Sequence, residues 1–233
     1  MFSIISSFKN ESANCKDFFK IISECKKYIN ISEIIVVDNG STDNTLKLLN
    51  DQKILGINIF VFKNDANSGY GDGFAKALNE ATNSYVITLH SDNQFRLDKF
   101  LKKYSDKVMA DLKNNINIFP IRTNRSFVAN LRTFIVRIIL SLISLKFFND
   151  YGGHPKFLIK ENINQINCIP SGFSFDAAIL FFLKKNRIKF SHDYFVTEHE
   201  RIFGVSSWSK SISKQFNLLL NFIYEFLIFR LNN

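Results

Sequence analysis

Short apolar runs alternate with amphipathic segments along the first half of the chain. Brief runs of β-branched and aromatic residues are typical of buried strands, whereas apolar residues spaced three and four apart are typical of helices. Strands that alternate with helices in this way predict βαβ units and a parallel sheet. The predicted strands are Phe2 to Ser7, Ile34 to Val37, Asn58 to Phe62 and Tyr85 to Leu89. The predicted helices are Asp17 to Tyr28, Asn44 to Asp51, capped by Thr42 or Asp43, and a segment that opens at residues 67–73 and runs to about Ala81.

The pattern becomes less regular after Gln94. Long apolar segments with helical spacing predominate there, and residues 149–156, with two glycines and a proline, are predicted to be a loop. The predicted helices of this half are Leu97 to Leu112, Phe127 to Phe148, Phe175 to Lys185 and Ser213 to Leu231. The predicted strands are Ile116 to Ile121 and Lys189 to Val196.

The composition is that of a globular chain. It has 233 residues, 46% of them hydrophobic, with 3 prolines and 9 glycines, which is enough to bury a full core and too regular for a disordered or fibrous protein. Cys15, Cys25 and Cys168 lack metal-binding spacing, so we expect reduced structural thiols in a cytosolic protein. Neither a signal peptide nor an uncharged apolar run of 18 residues is visible, so we expect no transmembrane helix.

Positive charge is concentrated in the second half. Residues 1–118 carry 15 Lys+Arg and 14 Asp+Glu, whereas residues 119–233 carry 15 and 7, which gives net charges of +1 and +8. Because arginine binds phosphate with two parallel hydrogen bonds, this half is suited to phosphate or to an anionic surface. The alternative is a solvated basic face that aids solubility. Nucleic acid is not expected as a partner, since no recognised binding module is present.

Polar residues and glycines follow the predicted strands, where ligands of α/β sheets bind. Asp38 ends the second strand, and its carboxylate could accept hydrogen bonds from the imino N–H of uracil or guanine. Glycines at positions 69, 71 and 73 allow close backbone approach before a helix whose amino terminus favours phosphate. Taken alone, this glycine pattern also fits a simple turn.

Three metal-capable side chains follow the fourth strand. His90, Asp92 and Gln94 could each present an N or O atom to one divalent cation, and mostly oxygen ligands suit Mg²⁺ or Mn²⁺. The alternative is an ordinary polar exit from a strand.

Together these segments resemble the family 2 glycosyltransferases with a GT-A fold. The resemblance lies in residues 36–45 (VVDNGSTDNT), 67–71 (NSGYG) and 89–94 (LHSDNQ). Residues 6–11 (SSFKNE) look like that family's opening P-x-Y-N-E segment, with serine in place of proline. The resemblance covers nearly the whole chain, and the second half is similar to the branch of dolichyl-phosphate mannose synthase and related polyprenyl-phosphate sugar transferases.

The resemblance implies a GT-A (Rossmann-like) fold, a mostly parallel sheet flanked by helices. A C-terminal acceptor-side extension and a hydrophobic terminal helix complete it. We therefore expect a glycosyltransferase domain over residues 1–211. Its nucleotide-sugar half would be 1–118 and its acceptor half 119–211, followed by an amphipathic helix over residues 212–233. In that helix Asn217, Asn221 and Glu225 form a polar stripe. The helix could dock on the membrane interface, pair with a partner helix or pack against the domain.

Several motifs of the second half carry this resemblance. Arg122 matches the arginine of a G-T-R or G-S-R segment, and Arg132 and Arg137 fit a basic helix. Residues 150–156 (DYGGHPK) look like a variant of D-x-T-S-G-F-[RK], and Asp176 matches an acidic position after a phenylalanine-rich strand. Residues 201–208 (RIFGVSSW) resemble a closing R-x-x-G-x-S-K-[WF] segment.

One position departs from the family pattern. The D-x-D motif that holds the metal in this family begins here with His90. Imidazole can ligate Mn²⁺, so the resemblance implies a metal site with one negative charge fewer and weaker Mg²⁺ binding. The harsher alternative is loss of activity.

The function implied is inverting transfer of a sugar from a UDP- or GDP-linked nucleotide-diphosphate sugar to a polyprenyl phosphate or other lipid-linked acceptor. The nucleotide site would comprise Ser7, Asn10, Glu11, Asp38, Gly40, Ser41, Asp43, Asn67, Gly69, Gly71 and Ser91. The catalytic set would be Asp92, Asp150, Asp176, Arg122 and Arg201, with Asp150 or Asp176 as base if the acceptor is a hydroxyl. The acceptor phosphate would be held by Arg122, Arg132, Arg137, Arg201 and Ser206.

Two further functions stay open. One is a soluble transferase that elongates a cell-envelope polysaccharide. The other is a catalytically silent subunit that binds nucleotide or lipid. The reason to consider it is His90, which replaces the first aspartate of the D-x-D motif. The arginines and the apolar terminal helix favour the lipid-linked acceptor. They also favour a location on the cytoplasmic face of the membrane, peripheral to the bilayer surface or bound to a membrane partner protein.

Overall fold

A computed structural model describes residues 1–65, 68–201, 203 and 212–233 of the chain. Within these residues the strands are β1 (Phe2–Phe8), β2 (Ile31–Asp38), β3 (Asn58–Lys63), β4 (Tyr85–Thr88), β5 (Asn117–Ile118), β6 (Ile121–Thr123), β7 (Lys156–Ile159), β8 (Phe190–Ser191) and β9 (Phe195–Thr197). The helices are α1 (Ser12–Cys25), α2 (Thr45–Asn50), α3 (Tyr70–Glu80), α4 (Leu97–Lys113), α5 (Phe127–Ser144), α6 (Lys160–Ile163), α7 (Phe175–Lys185) and α8 (Ile212–Asn232).

A seven-stranded sheet with the order β3-β2-β1-β4-β7-β5-β8 forms the centre of the protein. Strands β3, β2, β1 and β4 pair in parallel, so the predicted βαβ half is confirmed. Helices cover both faces of the sheet. On one face α1 and α4 bury Phe18 and Phe100, and on the other α3, α7 and α8 bury Phe74, Phe175 and Phe226. The mostly parallel, helix-flanked architecture predicted from the sequence is therefore confirmed.

Strand β7 was not predicted. It runs antiparallel to both β4 and β5 and lies partly in the segment expected to be a loop. Its four residues, Lys-Phe-Leu-Ile, are all buried. Such a short run shows no alternation of polar and apolar positions, so its sequence pattern does not identify a strand.

The predicted strands Ile116 to Ile121 and Lys189 to Val196 are each divided in two. Strand β5 pairs with β8 in the main sheet, and β6 pairs with β9 in a separate two-stranded sheet. Pro120 stands between β5 and β6 and has no N–H to continue the ladder. The two segments thus leave the main sheet together, after β5 and after β8, and pair again as β6 and β9. This pairing brings Arg122 alongside Val196.

Helix α8 packs against the domain with one face. Phe222, Phe226 and Phe229 are buried there, and Glu225 of the predicted polar stripe accepts a hydrogen bond from Ser174 Oγ at 2.8 Å. The opposite face exposes large apolar residues, namely Phe216, Leu220, Tyr224, Leu227, Ile228 and Leu231. Packing against the domain therefore uses only part of the apolar surface of α8.

Helix α5 is long and apolar enough to cross a membrane by length and composition, and only 11% of it is buried in the fold. Its composition remains this apolar despite Arg132 and Arg137, which interrupt the apolar run in the sequence. In the fold α5 lies across the outside of the domain and contacts α8.

A buried carboxylate fastens β1, β2 and the turn before β4. Glu33 Oε1 accepts hydrogen bonds from Ser3 Oγ at 2.5 Å and from Thr82 N at 2.7 Å, and Oε2 accepts one from Thr82 Oγ1 at 2.9 Å. Burial alone would raise the pKa of Glu33, but these hydrogen bonds outweigh it and lower the pKa. Ionised Glu33 is therefore the form that the folded state prefers.

Substitution of Glu33 should make the folded state less stable in a pH-dependent way. A depressed pKa contributes stability that is present above the unfolded-state value, about 4.3, and is lost as pH falls through the folded-state value. We expect Glu33→Gln to lower the free energy of unfolding by about 1–3 kcal/mol at pH 7. The difference from wild type should shrink between roughly pH 5 and pH 3. Urea denaturation at several pH values measures this, with the exposed Glu24→Gln as control. A difference that does not vary with pH would contradict the assignment.

Candidate active site

The carboxyl ends of β1, β2 and β4 and the start of α3 form one crevice. Asn39 links them, because its Nδ2 donates to Ser7 Oγ at 2.8 Å and to Gly69 O at 2.7 Å. Asp38 is fully buried at the base of this crevice, and its Oδ2 accepts a hydrogen bond from Ser41 N at 3.2 Å. Among the described residues nothing donates to Asp38 Oδ1. This free acceptor is the kind of group that an imino N–H of a nucleobase would satisfy.

The other predicted nucleotide residues around Asp38 cross-link two loops. Asn10 N donates to Ser41 Oγ at 2.9 Å, and Asn10 Oδ1 accepts from Thr42 N at 2.8 Å. Asp43 accepts from Ser12 N at 3.2 Å and from Thr45 N at 2.9 Å, while Asn44 takes the N-cap position of α2. Gly40 has a φ of 68°, which suits glycine at this turn. These residues shape the rim of the crevice, and Ser91 lies in the turn after β4.

The glycine-rich segment is explained by close packing. A Cβ on Gly71 would lie 2.0 Å from Pro170 O, and a Cβ on Gly69 would lie 2.2 Å from Ser171 O. Any larger residue at either position would separate α3 from the loop before α7. The glycines predicted to admit phosphate therefore also join the two halves of the chain. Asn67, predicted to accompany them, lies outside the described residues.

Asp92 and Glu11 face a common cation, the guanidinium of Arg201. Arg201 Nη2 is 3.0 Å from Asp92 Oδ2 and 3.1 Å from Glu11 Oε1. His90 Nδ1 lies 3.9 Å from the same Asp92 oxygen. Burial by itself would raise the pKa of Asp92, but the neighbouring His90 and Arg201 hold that pKa well below its usual range. Asp92 is thus ionised, and its carboxylate already pairs with a cation.

These groups fit a divalent cation in part. An imidazole nitrogen and a carboxylate oxygen converge at His90 and Asp92, and Arg201 already shows that positive charge is stable between Asp92 and Glu11. Such a mixed donor set suits Mn²⁺ better than Mg²⁺. The side chain of Gln94, the predicted third ligand, donates from Nε2 to His199 O at 2.9 Å, and its Oε1 is the atom that would face a cation. Gln94 therefore fastens the segment that leads to Arg201.

Behind His90 lies a buried cluster that the sequence did not reveal. Lys156 Nζ is 2.9 Å from Asp176 Oδ1 and 2.8 Å from His154 Nε2. The Tyr70 hydroxyl donates to Asp176 Oδ2 at 3.2 Å and lies 2.9 Å from His90 Nε2. His154, expected to be a loop residue, is completely buried, as is Lys156. No sequence signal distinguishes this lysine from an exposed one, and Tyr70 carries no motif of its own.

The protonation of this cluster follows from burial and the Lys156 charge. Burial would raise the pKa of Asp176, but Lys156 and His154 hold that pKa far below its usual range. Burial, together with Lys156, lowers the pKa of His154 to about 3, so its imidazole is neutral. Burial and the nearby Asp176 raise the pKa of Tyr70. The cluster is a paired lysine and aspartate, with a neutral imidazole that accepts from Lys156 and a neutral hydroxyl that donates to Asp176.

His90, His154 and Asp176 could in principle share a metal ion, because their ligand atoms all lie within 4.8 Å of one another. The Lys156 ammonium, however, already contacts both His154 and Asp176. A metal and an ammonium would repel each other in this buried space. The cluster therefore carries its own cation, and a metal fits better on the Asp92 side of His90.

Arg122 and Asp150 form a second buried ion pair. Arg122 donates from Nε to Asp150 Oδ2 at 2.9 Å and from Nη2 to Oδ1 at 2.7 Å. Burial would raise the pKa of Asp150, but Arg122 lowers it to about 2. Arg125, which was not predicted, pairs with Glu198 at 2.6 Å, and Arg122 Nη1 lies 3.8 Å from the same carboxylate. Two arginines thus lie together at the amino end of α5.

The other predicted acceptor arginines are placed elsewhere. Arg132 is exposed on α5, and Arg137 Nε donates to Phe148 O at 3.0 Å. Arg201 lies on Asp92, and Ser206 is outside the described residues. Among the described residues, Arg122 thus has Arg125 beside it, while Arg137 and Arg201 contact other groups.

Comparison with known proteins identifies the class. The model of "Glycosyl transferase family 2" matches residues 3–176, and the chain belongs to this family. It is a glycosyltransferase. The chain is also 27% identical over 213 residues to the uncharacterised protein MJ0544 of Methanocaldococcus jannaschii, across 85% of this chain and 88% of that one.

Solved structures of glucosyl-3-phosphoglycerate synthase from Mycobacterium tuberculosis share the fold. The complex with Mn²⁺, UDP and phosphoglyceric acid has a TM-score of 0.72 and 15% identity, covering 99% of this chain and 78% of that one. The complex with Mg²⁺ and UDP has a TM-score of 0.69 and 13% identity, with 98% and 79% coverage. These likenesses confirm the GT-A fold, while the polyprenyl-phosphate branch stays a prediction.

Removal of the lysine from the buried pair should be costly. Lys156→Met would leave the Asp176 carboxylate buried without its cation, so we expect a loss of about 3–5 kcal/mol in the free energy of unfolding. The double variant Lys156→Met, Asp176→Leu should recover much of this loss, because no unpaired charge remains. Chemical denaturation of both variants measures the effect, with the exposed Lys185→Met as control. If Lys156→Met costs no more than Lys185→Met, the buried pair is not a structural determinant.

Proposed function

We propose that this glycosyltransferase transfers a sugar, with inversion, from a UDP- or GDP-linked sugar to a polyprenyl phosphate or another lipid-linked acceptor. The proposal includes a location at the cytoplasmic face of the membrane.

One observation carries the choice of acceptor: both candidate bases are already paired with cations. Asp150 is held by Arg122, with a pKa of about 2, and Asp176 is held by Lys156, with a pKa well below its usual range. Carboxylates with such low pKa values are poor proton acceptors near neutral pH. A hydroxyl acceptor needs a base, whereas a phosphate acceptor is already anionic, with a second pKa of about 6. The site therefore favours phosphate as the attacking group.

The arginines at the amino end of α5 support the same acceptor. Arg122 and Arg125 share Glu198 and are only partly exposed, so an incoming phosphate could exchange with the Glu198 carboxylate. Guanidinium groups bind phosphate with paired hydrogen bonds, and this geometry suits a monoester. Phosphoglyceric acid, which is bound in the structurally similar synthase, is itself a phosphate compound. An anionic acceptor is therefore consistent with the fold's known ligands.

The donor site is supported by Asp38 and by the metal-capable side chains. The free Oδ1 of Asp38 suits the imino N–H of uracil, and UDP is the nucleotide bound in the similar synthase. His90 and Asp92 would hold Mg²⁺ or Mn²⁺ on the diphosphate. A bound cation would stabilise the negative charge that develops on the leaving nucleotide diphosphate. Arg201 would then be released from Asp92 toward the phosphates.

The metal assignment predicts a change of metal preference. We expect Asp92→Asn to reduce transfer at least a hundredfold without unfolding the protein, because it removes the anionic ligand. His90→Asp should retain activity and shift the preference from Mn²⁺ toward Mg²⁺, since a carboxylate is the harder ligand. Initial rates with each ion, measured beside circular dichroism spectra, check both results. An unchanged Mn²⁺-to-Mg²⁺ rate ratio in His90→Asp would place His90 outside the metal's ligands.

The acceptor assignment predicts that the enzyme distinguishes a polyprenyl phosphate from a polyprenyl alcohol of the same length. With UDP- and GDP-sugars as donors, we expect transfer to a short polyprenyl phosphate to exceed transfer to the same chain ending in a free hydroxyl by at least a hundredfold. The reason is that the carboxylates beside Arg122, those of Asp150 and Glu198, are each paired with an arginine and are therefore weak bases toward a hydroxyl. Product analysis by mass spectrometry measures both reactions. Equal use of the two acceptors would favour the polysaccharide-elongating alternative, and release of no nucleotide from any donor would favour a silent subunit.

A further inference from the structure

Helix α5 presents an apolar stripe to solvent. Its large side chains recur every three or four residues on one face, and each is at least 44% exposed. The stripe consists of Phe127, Leu131, Phe134, Ile138 and Leu142, together with Leu145, the residue that directly follows the helix. A soluble helix normally turns its apolar face inward, so this orientation indicates a surface that meets a nonpolar phase or a partner.

The two ends of α5 lie at different cationic groups. At the amino end Arg125 Nη1 donates to Thr133 Oγ1 at 2.7 Å, which fixes the first turns beside Arg122. At the carboxyl end Lys146 and Phe147 line an open cavity of about 680 Å³. The 18 residues of the helix span roughly 27 Å at 1.5 Å per residue. One apolar stripe thus connects the proposed acceptor site with a distant cavity.

That cavity is strongly cationic. The carboxyl-terminal ends of α4 and α7 and the strand β8 form its other walls. Its lining residues include two aspartates, Asp111 and Asp193, and five cations, Lys107, Lys146, Lys184, Arg187 and Lys189. One of these aspartates, Asp111, is engaged by the Tyr194 hydroxyl at 2.5 Å. None of the lining residues takes part in the crevice around Asp38 and Asp92, so the transfer reaction does not account for them.

The cations of the cavity are only partly compensated: Lys107 Nζ donates to Asp193 O at 3.1 Å, and Lys184 Nζ lies 4.8 Å from the centre of the Phe190 ring. Lys146 and Lys184 line the same cavity, and burial, together with the charge of Lys146, lowers the pKa of Lys184. A cavity of this kind gains stability from an anion.

We propose that this cavity binds the phosphate of an anionic phospholipid headgroup while the stripe of α5 enters the bilayer interface. The inference rests on the membrane location proposed above and names the surface and the lipid chemistry involved. Apolar side chains beside a cluster of lysines are the combination that interfacial helices use on anionic membranes. Each lysine or arginine near such a surface contributes attraction, and the stripe supplies apolar burial.

The fold favours a helix that lies on the bilayer over one that crosses it. Leu140 and Ser144 are buried against the domain, and Arg137 holds the backbone at Phe148. A crossing helix would have to leave these contacts. A helix that lies flat keeps them and places Arg122 and Arg125, at its other end, at the level of lipid phosphates.

Vesicle binding tests the proposal without any transfer reaction. We expect the full-length protein to co-float with vesicles of phosphatidylcholine and phosphatidylglycerol far better than with phosphatidylcholine alone. The triple variant Lys146→Gln, Lys184→Gln, Arg187→Gln should bind the anionic vesicles ten- to a hundredfold more weakly. The matched control Lys16→Gln, Lys20→Gln, Lys53→Gln removes the same charge from exposed positions outside the cavity and should bind within about threefold of wild type. Equal losses in the two triple variants would overturn the proposal, because net charge alone would then explain binding.

Further measurements distinguish a phospholipid from two other possible partners of this surface, a second copy of the chain and a soluble phosphate compound. Leu142→Ser, Leu145→Ser should weaken binding to both kinds of vesicle, and light scattering should show the same oligomeric state for this variant and the wild type. If wild type is a dimer that this variant dissociates, the stripe is an interface between copies. If inorganic phosphate raises the unfolding temperature of wild type but not of the cavity variant, while neither binds vesicles, the ligand is a soluble phosphate compound. Either result overturns the lipid assignment.

The proposed transfer reaction can be tested apart from the membrane surface. The cavity variant should retain wild-type rates with a short, water-soluble polyprenyl phosphate, since its substitutions lie outside the active site. Normal transfer with lost vesicle binding supports both proposals. Vesicle binding that depends on the cavity, with no transfer by wild type, would leave the membrane surface supported and remove the proposed reaction.

Discussion

The buried ion pair between Lys156 and Asp176 lies in the second half of this glycosyltransferase, and Tyr70 connects it to the first half. Lys156 begins β7, which completes the sheet beside β4, and Asp176 lies in the first turn of α7. Tyr70 at the start of α3 adds a hydrogen bond to the same carboxylate. Because a buried charge is tolerated only when it is paired and hydrogen-bonded, these elements have little freedom to separate. The position of His90, which contacts Tyr70, follows from that constraint.

The same pairing decides which chemistry the site can perform. Two carboxylates that stand near the acceptor side are neutralised by Lys156 and Arg122, so their basicity is low. Asp92 and Glu11 instead share an arginine that is only partly buried. In the proposed function these two carboxylates would face the metal-bound diphosphate of the donor, and Arg125 would face the phosphate of the acceptor.

The sequence predicted the parallel half of the fold because its strands alternate with amphipathic helices and each strand is followed by turn residues. The end of β2 at Asp38 and the end of β4 before His90 were located in this way. Strand β7 was missed because four buried residues carry no period, and the division of the last strands depends on pairing between distant segments. The buried state of Lys156 and His154 is likewise a tertiary property. The hydrogen bond from Gln94 Nε2 to a backbone oxygen more than a hundred residues away is also a tertiary property that the sequence pattern does not contain.

In the proposed function, helix α5 would determine how the domain is oriented on the membrane surface. A lipid phosphate remains at the bilayer surface, because its chain cannot leave the apolar phase without a large loss of hydrophobic free energy. An enzyme for such an acceptor must bring its site to the headgroup level. In the proposed orientation, a helix that begins beside Arg122 and Arg125 and ends at a cationic cavity would have two points of contact with that level, about 27 Å apart along the helix. Two such contacts would fix the tilt of the domain as well as its attachment. The crevice around Asp38 can then stay open to nucleotide-sugar from the aqueous side.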